Sequence, residues 1–536
     1  MVRRTSRFFA ALFGAVSLVA LGSVPACGGN NNTSGFGSSS GGGAGSGGSN
    51  GSSGGSNGSS GGGSNGSSGG FGSTSSSGGG GNTDGGVACP SGLQCNVSCS
   101  NGGTTSISGK VYDPAGNDPL YDIAVYVPAV PLVALPKGVP TGSDACSCAA
   151  LFKSGAVVSA VTGVDGAFKL SNAPVGSNVP LVLQVGKWRR LVKINTTACQ
   201  DNAQPDKSLT LPATVASGDT DDNMPDIAVS TGSADSLECL MHRIGLPLSE
   251  FSGGAGGAGH VHVFAGGGAG GGGGGGGGVG RPESPAWANA TPSDTSLWDS
   301  QQHMMPYDIT LLSCEGGETY NADPAVLESY LNAGGRAFGS HFHYAWFSGP
   351  IGSGQAYSAP TDWGNNLATW SANGGGIGQL QANGKIVQTL NGSTMPFAKG
   401  IALFQWLGLE GALGVNGAPA MELPIQQPRF NAVVGPGNKP SQQWIQDDAT
   451  PNTMYFSFDT PVNAPPNPDG GPPNYCGRAV FSDLHVSGNT KDPGGTCNDG
   501  LLQPQEKALE FMLFDLSSCV IPDTIPPSDA GIPIAN

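Results

Sequence analysis

Charge is what this sequence has least of. Asp, Glu, Lys and Arg make up 11% of its residues, against about 25% in an average globular chain. Cations are the scarcer sign: 22 Lys and Arg face 38 Asp and Glu, a net charge of −16. Neutralising a phosphate backbone takes clustered Lys and Arg, and Arg3-Arg4 and Lys187 to Arg190 are too short for that. No nucleic-acid partner is expected. Long apolar runs are also missing. Beyond Val24 none reaches the ~20 residues of a membrane-spanning helix, so the folded part is not expected to be embedded in a bilayer. Between residues 28 and 87 even side-chain variety is absent, because this stretch is nearly pure Gly, Ser and Asn. It cannot repay the entropy of being ordered and is expected to be a disordered tether, on the order of 40 Å end to end.

Cysteine is well supplied, with 12 in the chain. At the N-terminus Arg3, Arg4 and Arg7 precede an apolar run from Phe8 to about Val24, the layout of a secretory signal. Val24-Pro25-Ala26-Cys27 resembles a bacterial lipobox, with Pro25 off the usual pattern. That resemblance implies a signal peptide over 1–27, lipidation of Cys27, and an exported protein whose membrane partner is reached through a lipid anchor at the cell envelope. Cysteines of an exported chain read as disulfides before metal ligands. Setting Cys27 aside leaves an odd number, so at least one thiol stays outside the disulfides, and Cys314 is the candidate.

The fold class expected is multidomain: a small β-sandwich followed by a flavodoxin-like α/β domain, its sheet mostly parallel and carrying a large insertion. Residues 88–212 hold short alternating runs such as Ile107 to Tyr112, Ile123 to Val127 and Leu181 to Val185, separated by turn signals, the pattern of a sandwich. Ser108-Gly-Lys-Val-Tyr-Asp-Pro-Ala-Gly116 and Thr162-Gly-Val-Asp-Gly-Ala-Phe168 resemble the carboxypeptidase regulatory-like, transthyretin-like family. Its modules are structural or binding accessories, and no carboxypeptidase catalytic domain accompanies this one. A linker over 213–224 leads to an α/β domain over 225–520 and a tail over 521–536. In the α/β domain a glycine-rich, disordered insert covers 252–285, with His260 to Phe264 as a strand at its start, and 357–474 reads as an insertion or lid.

The stretch Tyr307 to Phe347 organises this second domain. It reads as a buried strand, a loop with Cys314 and Glu315, a helix capped by Asp323 and ended by Gly334-Gly335, a second strand, and a sharp exit through Gly339-Ser-His-Phe-His343. Tyr307-Asp-Ile-Thr-Leu-Leu-Ser-Cys-Glu-Gly316, Leu327 to His341 and Gly477-Arg-Ala-Val-Phe-Ser-Asp-Leu-His485 resemble the class I glutamine amidotransferase-like superfamily and its ThuA-like branch. In true amidotransferases a nucleophilic Cys occupies the elbow. Here His341 stands there, so the resemblance implies no glutamine amidotransferase activity, and it points to a carbohydrate-type ligand.

Several chemistries remain open for the crevice. Cys314, Glu315, Ser340 and His341 are the catalytic candidates: a thiolate with an imidazole base, set against a disulfide or buried thiol at Cys314. Ser340 lacks the second Gly of a serine-hydrolase elbow. His341, His343, Asp483 and His485 are candidate ligands for a divalent metal such as zinc, set against histidines that only hydrogen-bond a polar crevice. His341 and His343, two apart, would share a side if the segment were extended. Trp346, with His343, is the candidate ligand-binding residue, by stacking on a sugar ring. The functions expected are envelope binding or processing of a carbohydrate-type ligand, a metal-dependent hydrolase or isomerase, or a non-catalytic adhesive or scaffold protein.

Overall fold

The computed structural model describes residues 89–525 apart from 101, 233–234, 267–291, 316, 319–322, 324, 350, 352–358, 373–380, 467–472, 486–496 and 498–499. The expected signal peptide with Cys27, the tether, most of the glycine-rich insert and the end of the tail lie outside the described residues.

The protein is a mixed α/β, strand-rich molecule. Eight strands come first: β1 (Ser106–Tyr112), β2 (Ala124–Pro128), β3 (Ala156–Val161), β4 (Ala167–Ser171), β5 (Gly176–Val185), β6 (Trp188–Thr196), β7 (Asp201–Ala203) and β8 (Leu209–Thr210). They form two four-stranded sheets, one ordered β4-β1-β7 with β8 also on β1, the other β3-β2-β5-β6. Alternation along β1 and β5 sends Ile107, Val111, Leu181 and Leu183 into one core, while Val182 on the opposite face of β5 packs with Tyr126 and Phe152 in a smaller one. The turn Asp113 to Asp118 is closed by the Asp113 carboxylate, which accepts the N–H of Asn117 (2.6 Å) and Asp118 (3.2 Å).

The second region is built on β9 (Ile227–Ser230), β10 (Phe251–Gly253), β11 (Val261–Phe264), β12 (Ile309–Leu312), β13 (Arg336–Ser340), β14 (Thr369–Trp370), β15 (Gln381–Ile386), β16 (Leu423–Gln426), β17 (Ala432–Val433), β18 (Ser441–Asp447), β19 (Thr453–Thr460) and β20 (Gly477–Ser482). Ten of them make one sheet, β10-β11-β9-β12-β13-β20-β19-β18-β15-β16. The strands from β10 to β20 in that order are parallel, and β19, β18, β15 and β16 continue it antiparallel. Strands β9, β12 and β20 are buried along their whole length, as a parallel sheet covered on both faces demands. Two expectations change here. The insertion over 357–474 is no separate lid, since it supplies four strands to the sheet. The glycine-rich insert starts later than residue 252, because 251–253 and 261–264 are sheet strands.

The helices are α1 (Leu237–Arg243), α2 (Thr295–Trp298), α3 (Gln301–Met304), α4 (Ala325–Asn332), α5 (Tyr344–Ser348), α6 (Ala398–Leu409) and α7 (Pro504–Ser517). Asp323 caps α4 by accepting the Ala325 N–H at 3.0 Å. Helix α7 opens with Pro504 and a reciprocal Gln503–Glu506 capping box, which satisfies two otherwise orphaned donors. Helices α1 and α7 cover one face of the sheet and α2 to α5 the other. The first eight strands share the first of these cores. Trp188 lies against Phe514 and Tyr121 stacks on Phe511, while the Trp406 indole N–H of α6 donates to Pro119 O at 2.6 Å.

Five disulfides are present: Cys89–Cys95, Cys99–Cys199, Cys146–Cys476, Cys148–Cys519 and Cys239–Cys497. Cys314 stays outside them and is buried, as the odd count implied. No helix among the described residues is long and apolar enough to cross a membrane.

Candidate metal centre

Strands β12, β13 and β20 are parallel neighbours, with Leu312 paired to Gly339 and Ser340 to Ser482. Their exits therefore emerge at one edge of the sheet. Residues 313–315 follow β12, 341–343 follow β13 and 483–485 follow β20, and the fold brings one side chain from each to a common point. Cys314 Sγ lies 3.2 Å from His341 Nδ1, and His485 Nε2 lies 2.9 Å from the same nitrogen. All three residues are buried, and their ligand atoms lie within 4.8 Å of one another. This group can bind a metal ion. It sits beside the junction of β9 and β12, where the strand order reverses, the usual place for a ligand in an open α/β sheet.

Each member is held by its surroundings. His341 has φ +40°, a left-handed conformation that costs a non-glycine residue free energy and persists only where the surroundings impose it. A sharp strand-to-helix turn of this kind lifts a side chain above the sheet edge. The Cys314 N–H donates to Ser340 Oγ (2.9 Å), and that hydroxyl donates to Asp235 Oδ2 (2.6 Å). The Cys314 carbonyl leaves no room for a Cβ at Gly232, nor do Thr231 O and Glu315 for one at Gly266; larger residues at either position would displace the loop. His485 Nδ1 lies 2.8 Å from Gln427 Oε1 and 3.2 Å from Arg429 Nη2. With Nδ1–H donated to Gln427, the His485 Nε2 lone pair is turned toward Cys314 and His341, the orientation seen in metal-ligating histidines.

The electrostatics favour neutral imidazole at His341. Burial, then the neighbouring His485 and Arg429, hold its pKa well below the ordinary histidine value. Two lone pairs cannot face each other at 2.9 Å without a proton or a cation between them. The position among the three ligand atoms therefore has to be occupied by one or the other.

The remaining sequence candidates fall elsewhere. His343 does not join the cluster. The chain leaves β13 as a 3-10 turn over His341–His343, where residues two apart point in widely different directions, so the extended geometry that would have aligned them does not exist. Its ring lies near Trp298 and Trp346, with Nε2 3.9 Å from Glu315 Oε1, and burial lowers its pKa to about 4. Asp483 is turned away from the cluster, since its Oδ2 accepts the N–H groups of Asn431 (2.6 Å) and Ala432 (2.9 Å). Burial pushes that carboxyl up to about 7. Trp346 is 3% exposed and packs edge-on to Trp298 at 4.9 Å, so it presents no face to a sugar. Ser340 positions Cys314 and is itself bonded to Asp235. His260, just before β11, pairs with Glu250 (2.7 Å), and His262 of β11 places Nδ1 2.9 Å from Gly254 O, so neither joins the cluster.

Gln427, Arg429 and Asp235 carry no motif that would have singled them out. Gln427 and Arg429 come from the large insertion, bound to the site through the bridge between Pro428 and Leu484 and the Arg429 N–H to Asp483 O bond of 2.8 Å. The only available signal was Pro428 between two polar residues, which marks an irregular segment and no partner. Comparison with known proteins adds nothing to this geometry, since no family model, no curated protein and no solved structure matches the chain.

Proposed function

We propose that the protein is an exported metal-dependent hydrolase whose centre is Cys314, His341 and His485. The convergence of these three side chains, from three adjacent strand exits, carries the reading. A thiolate with two imidazoles suits zinc, and three protein ligands leave a fourth position open, as catalytic zinc sites do. A metal held this way polarises a carbonyl or phosphoryl oxygen and lowers the pKa of water. The chain's own contribution is positional: Gln427 sets the His485 tautomer, Ser340 and Asp235 fix the Cys314 loop, and the buried surroundings limit access of bulk water.

Two further observations support the setting. Five disulfides suit an oxidising compartment outside the cytosol, consistent with the proposed signal peptide and with anchoring through Cys27. Along β11-β9-β12-β13-β20 the strands run 2-1-3-4-5 in chain order, the order of flavodoxin-like sheets, which supports the flavodoxin-like reading and the resemblance to the ThuA-like branch. A carbohydrate-type substrate rests on that resemblance alone, because the stacking residue chosen for it is buried.

The test is metal content of the purified protein with its disulfides intact. About one equivalent of metal is expected in the parent and in His343→Ala, and none in His341→Ala or His485→Ala. Cobalt loading should give a thiolate-to-metal absorption band that Cys314→Ser removes. A parent without metal affinity, or a His341→Ala variant that retains it while folded, would overturn the assignment.

A further inference from the structure

We propose that the substrate of this centre carries an oxyanion, a carboxylate or a phosphate ester, received by Arg429. The inference rests on the metal reading above and names what that centre would act on.

Among the described residues, the insertion brings a single cation to the cluster. Arg429 Nη2 lies 3.2 Å from His485 Nδ1, so the guanidinium stands directly behind one of the three ligand residues. It is partly exposed and forms no ion pair among the described residues, although Cys314, Asp235 and Asp483 all act on it electrostatically. The two carboxylates are committed elsewhere, Asp235 to the Ser340 hydroxyl and Asp483 to two backbone N–H groups. Nη1 donates to the carbonyls of Gln427 (3.2 Å) and Pro428 (2.8 Å), both in its own loop. If His485 Nδ1–H is given to Gln427, as ligation through Nε2 requires, that nitrogen has no lone pair for Arg429. The Nε–H and Nη2–H donors then have no acceptor among the described residues. Those two parallel donors form the edge of a guanidinium that takes a carboxylate or phosphate in bidentate fashion.

The loop is also rigid enough to act as a receptor. Gln427 is held at φ +50°, His485 N–H donates to Gln427 O (3.3 Å), and Arg429 N–H donates to Asp483 O (2.8 Å). The cation is thus fixed to the exit of β20, the strand that supplies His485. A purely structural arginine in such a place would be expected to commit its Nε and Nη2 donors as well as Nη1. Arg336 does so, donating Nε to Leu516 O and Nη2 to Ser518 O.

The experiment uses the full mature protein loaded with cobalt and titrated separately with inorganic phosphate and with acetate, reading the visible cobalt spectrum. Saturable perturbation by one of the two is expected in the parent, and the responding anion identifies the phosphate or the carboxylate class. Arg429→Gln should take up cobalt with the parent's stoichiometry and bind that anion roughly ten- to a hundredfold more weakly, the cost of a charge-assisted hydrogen bond. Arg429→Lys, which keeps the charge and loses the fork, should fall between. No response to either anion in the parent, or an unchanged response in Arg429→Gln, overturns the proposal. A parent that takes up no cobalt fails the metal reading instead; calorimetric titration of parent and Arg429→Gln with the same anions then still decides the role of Arg429.

Discussion

The two edges of the parallel sheet are built on opposite terms. Where the strands begin, buried charge is matched. Lys187 pairs with Asp308 at 2.6 Å, Arg478 holds Asp459, Asp515 and Asp523 at 2.7 to 3.0 Å, and two disulfides tie the sandwich to this edge. Where the strands end, polar atoms are gathered and left incompletely matched. Oδ1 of Asp483 and the hydroxyl of Ser313 have no hydrogen-bond partner among the described residues. Buried polar groups are nearly always satisfied, and exceptions ask for an explanation such as an ion or a ligand. One edge is organised to hold the protein together, and the other to hold something else.

This contrast is open to attack from either side. The largest effect should come from Arg478→Met, which strips the guanidinium from Asp459 and Asp523 and leaves Asp515 to Lys399 (2.6 Å). Breaking such a network costs about 3–5 kcal/mol, read as a lower urea midpoint, with cobalt uptake by the folded protein unchanged. Replacing Cys146 and Cys476 together by Ser should cost about 2–4 kcal/mol in the same assay, again without touching the metal site. Asp122 sharpens the point, because burial raises its carboxyl to about 7, with the Lys399 cation opposing and Asp515 adding to the shift. The folded state then holds a proton that the unfolded chain gives up near pH 4, so stability falls as pH rises from about 4 to about 7 and is level above. Asp122→Asn should therefore gain stability at pH 8, on the order of 1 kcal/mol, and gain little at pH 4. Asn also tolerates the φ of +62° found there. The smallest effect belongs to the opposite edge. His341→Gly removes a strained conformation worth about 1 kcal/mol, so the variant, which loses its metal, should melt no lower than the metal-free parent, while the loaded parent melts higher because it binds the ion. A large loss of stability in His341→Gly would make that edge structural and erase the contrast.

Much of this arrangement was readable from the chain. Ile227–Ser230, Ile309–Leu312 and Gly477–Ser482 are short apolar runs bounded by polar loops, and strands buried on both faces leave that imprint. Helix α4 announced itself through Asp323 at its start and Gly334-Gly335 at its end. Placing Cys314, His341 and His485 in one crevice needed only the rule that parallel strands end together. The rest depended on information that sequence spacing does not carry. Strand β18 reads Ser-Gln-Gln-Trp-Ile-Gln-Asp, too polar to signal membership of the main sheet. His343 was aligned with His341 on the assumption of extended backbone, and Asp483 was grouped with His485 by adjacency alone. The torsion at His341 and the backbone donors of Asn431 and Ala432 decided both cases.

The disulfides that join the sandwich to the sheet also set an order of events during biosynthesis. Cys146 and Cys148 are separated from Cys476 and Cys519 by 330 and 371 residues. At roughly 5–20 residues per second the earlier cysteines wait for about 15–70 s before their partners are made, while Cys89, Cys95, Cys99 and Cys199 are already at hand. If the chain is exported during its synthesis, thiol–disulfide exchange has to stay reversible until the last helix arrives, and deleting the disulfide isomerase of an expression host should lower the yield of this protein more than its number of bridges alone suggests.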